Sequence, residues 1–104
     1  MKNLIIIPSR LESSRLPNKP LADINGEPMI VHVFNRAREA NIANVIVAAG
    51  NIEIKDVIEN VGGEAILTKT DHASGSDRIY EALNLYDKDS SYDNVINLQG
   101  DLPN

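Results

Sequence analysis

The chain of 104 residues contains no cysteine. Disulfides and thiolate metal sites are therefore excluded, and a reducing compartment is compatible with the composition. It has no long hydrophobic stretch either. The N-terminal apolar run Leu4–Ile7 is far too short to span a membrane, is stopped by Pro8, and lacks the small-residue cleavage site of a signal peptide. There is no internal repeat, low-complexity tract or linker. Positive charge is scarce: ten Lys and Arg stand against fifteen Asp and Glu, for a net charge of −5. An acidic body excludes the extended basic face that nucleic-acid backbone calls for.

What positive charge there is gathers at one end. Residues 1–20 hold four cations (Lys2, Arg10, Arg15, Lys19) and one carboxylate (Glu12), a net of +3, so the remaining 84 residues carry −8. Between Ser9 and Lys19 lie three of those cations and three serines, with Pro8, Pro17 and Pro20 fixing φ along the path. No glycine falls between Pro8 and Pro20, so the segment must grip with cations and hydroxyls more than with a bare backbone cradle. Because it directly follows an apolar run, it reads as a loop leaving the C-terminal end of a buried strand. A small polyanion, first of all a nucleoside triphosphate, is the simplest ligand for it. A solvated charge cluster is the alternative reading.

Strand and helix signals alternate along the rest of the chain. Leu4–Ile7 reads as a strand buried on both faces. Asn25-Gly26 marks a turn. Pro28 suits a first helical turn, and Ile30, Val33, Phe34 and Ala37 recur at helical spacing. Val45–Ala49 is a second strand, ended by Gly50. Ile54, Val57, Ile58 and Val61 predict a short helix closed by Gly62-Gly63. Ala65–Leu67 is a third strand, a helix from about Ser76 to Tyr86 buries Ile79, Ala82 and Leu83, and Val95–Leu98 is a fourth strand. This pattern implies an α/β fold: an open, mostly parallel sheet with helices on both faces. In the order usual for such sheets, the strands lie as third, second, first, fourth. The first and fourth then flank the switch point where ligands bind, with the Ser9–Lys19 loop opposite Gln99-Gly100-Asp101.

That placement suggests a chemistry. Lys19, Arg10 and Arg15 would neutralise phosphate oxygens, the arginines through paired hydrogen bonds, and the hydroxyls of Ser9, Ser13 and Ser14 would add donors. Asp101 would hold Mg²⁺, a hard cation that takes one or two carboxylates with waters and phosphate oxygens. Taken alone, Asp101 reads first as a turn residue, and only together with the loop does the metal reading prevail; Ser74–Asp77 taken alone is a helix N-terminus with Gly75 or Ser76 as cap. His72 is a lone loop histidine better read as a local hydrogen-bonding residue than as a base. His32 reads as a surface or packing residue, and Tyr80 and Tyr86 as packing residues.

Three segments carry a family likeness: Ile7-Pro8-Ser9-Arg10-Leu11-Glu12-Ser13-Ser14-Arg15-Leu16-Pro17-Asn18-Lys19-Pro20-Leu21, Asp71-His72-Ala73-Ser74-Gly75-Ser76-Asp77-Arg78, and Asn97-Leu98-Gln99-Gly100-Asp101-Leu102-Pro103. In order and spacing they resemble the motifs of the 3-deoxy-manno-octulosonate (Kdo) cytidylyltransferases, and the likeness runs along all 104 residues. It implies a nucleotidyltransferase fold, Rossmann-like and GT-A-like, of which residues 1–104 would be the N-terminal, nucleotide-binding part. It also implies a Mg²⁺-dependent reaction of CTP with Kdo to give CMP-Kdo and pyrophosphate for lipopolysaccharide synthesis, in a cytoplasmic homodimer that binds neither membrane nor nucleic acid. By motif match, Arg10, Arg15 and Lys19 would serve the triphosphate and Asp101 the metal. Pro8, Ser9, Ser13, Ser74, Gly75, Arg78 and Gln99 would line the substrate site, with Ser74, Gly75 and Arg78 at the cytosine.

Three departures from the motif stand out. Asn18 replaces a glycine, Ala48-Ala49-Gly50-Asn51 replaces an Ala-Thr-Asp stretch, and Leu102 replaces an acid. None touches the cations or Asp101. With much of the sugar site expected beyond residue 104, the fragment alone should be a poor catalyst. Cytidylyltransferases for sialic acid and non-catalytic nucleotide-binding modules are the competing readings.

Overall fold

A computed structural model describes residues 3–11, 21–41, 43–69, 75–87 and 92–98. Four strands form the main sheet: β1 (Asn3–Ser9), β4 (Asn44–Ala49), β5 (Glu64–Leu67) and β6 (Asn94–Asn97). They run parallel in the order β5-β4-β1-β6. This is the expected third-second-first-fourth order, and it places β1 at the centre with β6 beside it. Register is set from Leu4↔Asn44 to Ser9↔Ala49 on one side of β1 and from Asn3↔Asn94 to Ile6↔Asn97 on the other.

The apolar run of β1 serves two cores because successive side chains point to opposite faces. Ile5 and Ile7 join Val47, Ala49 and Ala65 beneath α1 (Met29–Glu39) and α2 (Ile52–Asn60). Leu4 and Ile6 join Ile46 and Ala48 beneath α3 (Gly75–Tyr86), which contributes Ile79 and Ala82. Helices thus cover both faces of the sheet, as expected. The α2 terminus is a Schellman motif. Gly62, at φ +81°, donates to the Glu59 carbonyl (3.0 Å), and Gly63 donates to that of Ile58 (2.9 Å).

Several local expectations are corrected. Asn25 and Gly26 do turn the chain, but between two paired two-residue strands, β2 (Asp23–Ile24) and β3 (Glu27–Pro28). Both turn residues have positive φ (54° and 92°), the geometry that closes a two-residue hairpin. Pro28 ends that hairpin in an extended conformation (ψ 145°) and caps α1 instead of lying inside its first turn. His32 does more than pack: its Nε2–H donates to the Ile24 carbonyl (2.6 Å), while the Met29 N–H donates to that of Ala22 (2.9 Å). Together they tie the hairpin to α1. Tyr80, expected to pack, is 69% exposed. Tyr86 does pack, its ring centroid 6.2 Å from that of Tyr92. Strand β6 lies at a sheet edge, and Val95 and Ile96 remain exposed.

Candidate functional site at the sheet's C-terminal edge

All four main strands end on the same side, so the residues that follow them meet there. On leaving β1 the chain passes Ser9, Arg10 and Leu11; on leaving β4 it passes Gly50 and Asn51. The two exits are stitched together. The Gly50 N–H donates to the Ser9 carbonyl (2.8 Å), and the Leu11 N–H donates to the Asn51 side-chain oxygen (2.8 Å). Asn51 thus does a structural task the sequence did not announce: it holds the first residues of the cationic loop against the start of α2.

Pro8 has an equally local role. Alternate residues of a parallel strand bond to opposite neighbours. Ser9 accepts from the β4 side, while the Ile6 carbonyl accepts from Leu98 (3.2 Å) on the β6 side. Pro8 shares the orientation of Ile6 and has no N–H to offer, so it cannot supply the next rung toward β6. Among the described residues the last rung between β1 and β6 is that from Leu98 to Ile6, next to the place where a ligand crevice is expected in a sheet of this order. Ser9 is buried, and its hydroxyl oxygen has no hydrogen-bond partner among the described residues.

Arg78 joins the third strand exit to this edge. It lies in the first turns of α3, only 3% exposed. Its Nε donates to the Thr68 hydroxyl (2.9 Å), which with the Thr68 N–H donates to the Ala49 carbonyl (3.1 and 2.8 Å). Its Nη2 donates to the Lys69 carbonyl (2.6 Å), and the Lys69 N–H donates to Glu81 of the same helix (3.2 Å). Gly50 lies closely beneath it: a Cβ there would lie 2.9 Å from Arg78 Nη2 and 3.0 Å from Arg10 Cβ, so one of them would have to move. An arginine from α3 and one from the end of β1 therefore meet over one glycine at the end of β4.

Of the expected site residues, the structure brings together Pro8, Ser9, Arg10 and Arg78, with Gly75 starting the helix that carries Arg78. Ser13, Arg15, Lys19, Ser74, Gln99 and Asp101 lie outside the described residues. Reasoning from sequence did not single out Gly50, Asn51 and Thr68 for these roles. One signal was available: Arg78 precedes Ala82 by four residues and so shares the buried stripe of α3, an unusual place for a cation without a partner. Among the described residues no group of three His, Cys, Asp or Glu could hold a metal. At the opposite end of the sheet, burial first, then the Tyr92 hydrogen bond and the Glu64 charge, push the Tyr86 phenol above its ordinary range. That group stays neutral and apart from the site.

A cytidylyltransferase family model matches residues 4–104. The chain is 56% identical over 100 residues to a 3-deoxy-manno-octulosonate cytidylyltransferase of Rhodospirillum centenum, covering 96% of this chain and 39% of that protein. It is 56% identical over 103 residues to the protein of that name from Brucella ovis, covering 99% of this chain and 41% of the relative. A solved structure of CMP:2-keto-3-deoxy-manno-octonic acid synthetase complexed with CTP superposes with a TM-score of 0.85 at 46% identity, over 96% of this chain and 40% of that one. The chain thus spans about two fifths of the length of the relatives it matches. With a family model covering nearly all of its residues, the chain belongs to the cytidylyltransferase family.

Proposed function

We propose that the full-length protein carrying this chain is a Kdo cytidylyltransferase, converting CTP and Kdo to CMP-Kdo and pyrophosphate. The observation that carries the reading is the coincidence of the arginine-bearing, proline-split sheet edge with close likeness to a structure complexed with CTP. The anomeric hydroxyl of Kdo attacks the α-phosphorus of CTP, a P–O bond forms, the α–β bridge bond breaks, and pyrophosphate leaves opposite the incoming oxygen. The hydroxyl proton passes to solvent water as that bond forms. No covalent enzyme intermediate is required, so the protein acts by positioning and by offsetting charge.

In this reading Arg10, Arg15 and Lys19 face the triphosphate, the Ser9 and Ser13 hydroxyls donate to it, Pro8 keeps the crevice open, and Ser74 and Gly75 border the cytosine. Gln99 stands beside the nucleotide or the incoming sugar. A Mg²⁺ fits such a donor set, since that cation needs only one or two carboxylates when phosphate oxygens and waters complete its shell. Asp101, three residues after Leu98 in the sequence, is the carboxylate assigned to it, and the bound ion would stabilise charge on the departing pyrophosphate. The protein is read as a cytoplasmic homodimer. Among the described residues no helix is long and apolar enough to cross a membrane.

The test is pyrophosphate release by the full-length protein with CTP and Mg²⁺. Release is expected only when Kdo is added. Turnover with sialic acid and none with Kdo would make the acceptor assignment wrong.

A further inference from the structure

We propose that Arg78 is a positioning residue: by locking its guanidinium over Gly50, it fixes the exits of β1, β4 and β5 relative to one another and thereby sets the nucleotide site. The inference rests on the proposed function above, but it assigns Arg78 and Gly50 a role that the reading does not need.

The geometry is that of a clamp. One guanidinium donates to Thr68 and Lys69 at the exit of β5 and lies against Gly50 at the exit of β4, where a Cβ would meet both Arg78 Nη2 (2.9 Å) and Arg10 Cβ at the exit of β1 (3.0 Å). Its Nε–H bond continues through the Thr68 hydroxyl to the Ala49 carbonyl, so the link reaches the last residue of β4 by a directed relay. A planar, forked cation is suited to two separate acceptors at once, which a lysine ammonium on its flexible stem is not. Gly50 has no positive φ to protect. Its lack of a side chain matters because the space a Cβ would take is already filled by Arg78.

The experiment is a double-mutant cycle in the full-length protein, reading CTP affinity by calorimetry and thermal stability in parallel. G50A removes no functional group, yet its methyl meets the guanidinium, so CTP affinity is expected to fall about tenfold through misplacement of the site. R78K keeps the charge but not the fork and is expected to bind CTP as poorly as R78A. In the R78A background the methyl has no guanidinium to displace, and adding G50A is expected to change CTP affinity by no more than about twofold. The KM for the sugar should move much less than CTP affinity in G50A and R78K.

The positioning role is overturned if R78K binds CTP like the wild type, if G50A costs as much in the R78A background as alone, or if each loss of CTP affinity is matched by an equal rise in the sugar KM. Wild-type protein that fails to bind CTP would overturn the proposed function, and this inference with it. Wild-type binding with G50A and R78K unaltered would overturn the positioning role alone.

Discussion

Lys19→Ala in the full-length protein is expected to lower kcat/KM for CTP by about a hundredfold, the scale of removing one partner from a desolvated charge pair. The reason lies in charge distribution. The first twenty residues carry +3 on a chain whose total is −5, so the loop cations counter an otherwise repulsive body when a polyanion arrives. In the proposed reading Lys19 serves the nucleotide and not the core, so folding should hardly notice the change; surface substitutions alter stability by only about 0.5 kcal/mol. Steady-state kinetics against CTP, paired with a thermal melt, separates the two effects. If thermal stability and nucleotide affinity fall together, the lysine is structural.

The second large effect belongs to the core. Phe34 is the chain's single phenylalanine and is only 2% exposed. Its ring leans on the α2 terminus so closely that a Cβ on Gly63 would lie 2.5 Å from it, and Arg38 sits 4.9 Å over its face. Phe34→Ala therefore opens a cavity among α1, α2 and the sheet and is expected to cost about 3–5 kcal/mol. In a thermal melt of the full-length protein that corresponds to a Tm lower by roughly 10 °C. Gly63→Ala should act in the same direction by the opposite route, forcing a methyl into space the ring already fills. A Phe34→Ala melt within about 2 °C of the wild type would mean that this core contributes little to stability.

These two residues illustrate what was legible before the fold was known. Phe34 sits in a helical repeat with Ile30, Val33 and Ala37, and all four are buried where the repeat places them. The four main strands announced themselves as short apolar runs between turn residues, and their alternation with helices was enough to expect the sheet order. The hairpin at Asn25-Gly26 was not legible beyond its turn, since strands of two residues carry no periodicity. His32 was misread for a related reason: its partner is the Ile24 carbonyl, a backbone atom that no side-chain pattern announces. Strand β6 looked as apolar as the others, but exposure depends on what lies beyond an edge, which composition does not record.

At the site, the cationic segment was visible because charge and proline are properties of the sequence itself. The meeting of Arg10, Gly50 and Arg78 was not, because it is produced by three strand exits converging from distant parts of the chain. Gly50 read simply as a strand terminator. Only the packed guanidinium shows what a side chain there would meet. The buried Ser9 hydroxyl, without a partner among the described residues, and the missing N–H of Pro8 likewise acquire meaning only once β6 is seen beside β1.

The central claim is that CTP binds at the C-terminal edge of the parallel sheet. Amide chemical-shift mapping of the full-length protein during a CTP titration tests it most directly. The account predicts shifts concentrated at Ser9, Arg10, Leu11, Gly50, Asn51 and Lys69, with Asn44 and Glu64 at the other end of the strands unmoved. Shifts concentrated instead in the polar hollow between Arg38, Asn41, Asn44 and Gly62, with the C-terminal edge silent, would contradict it.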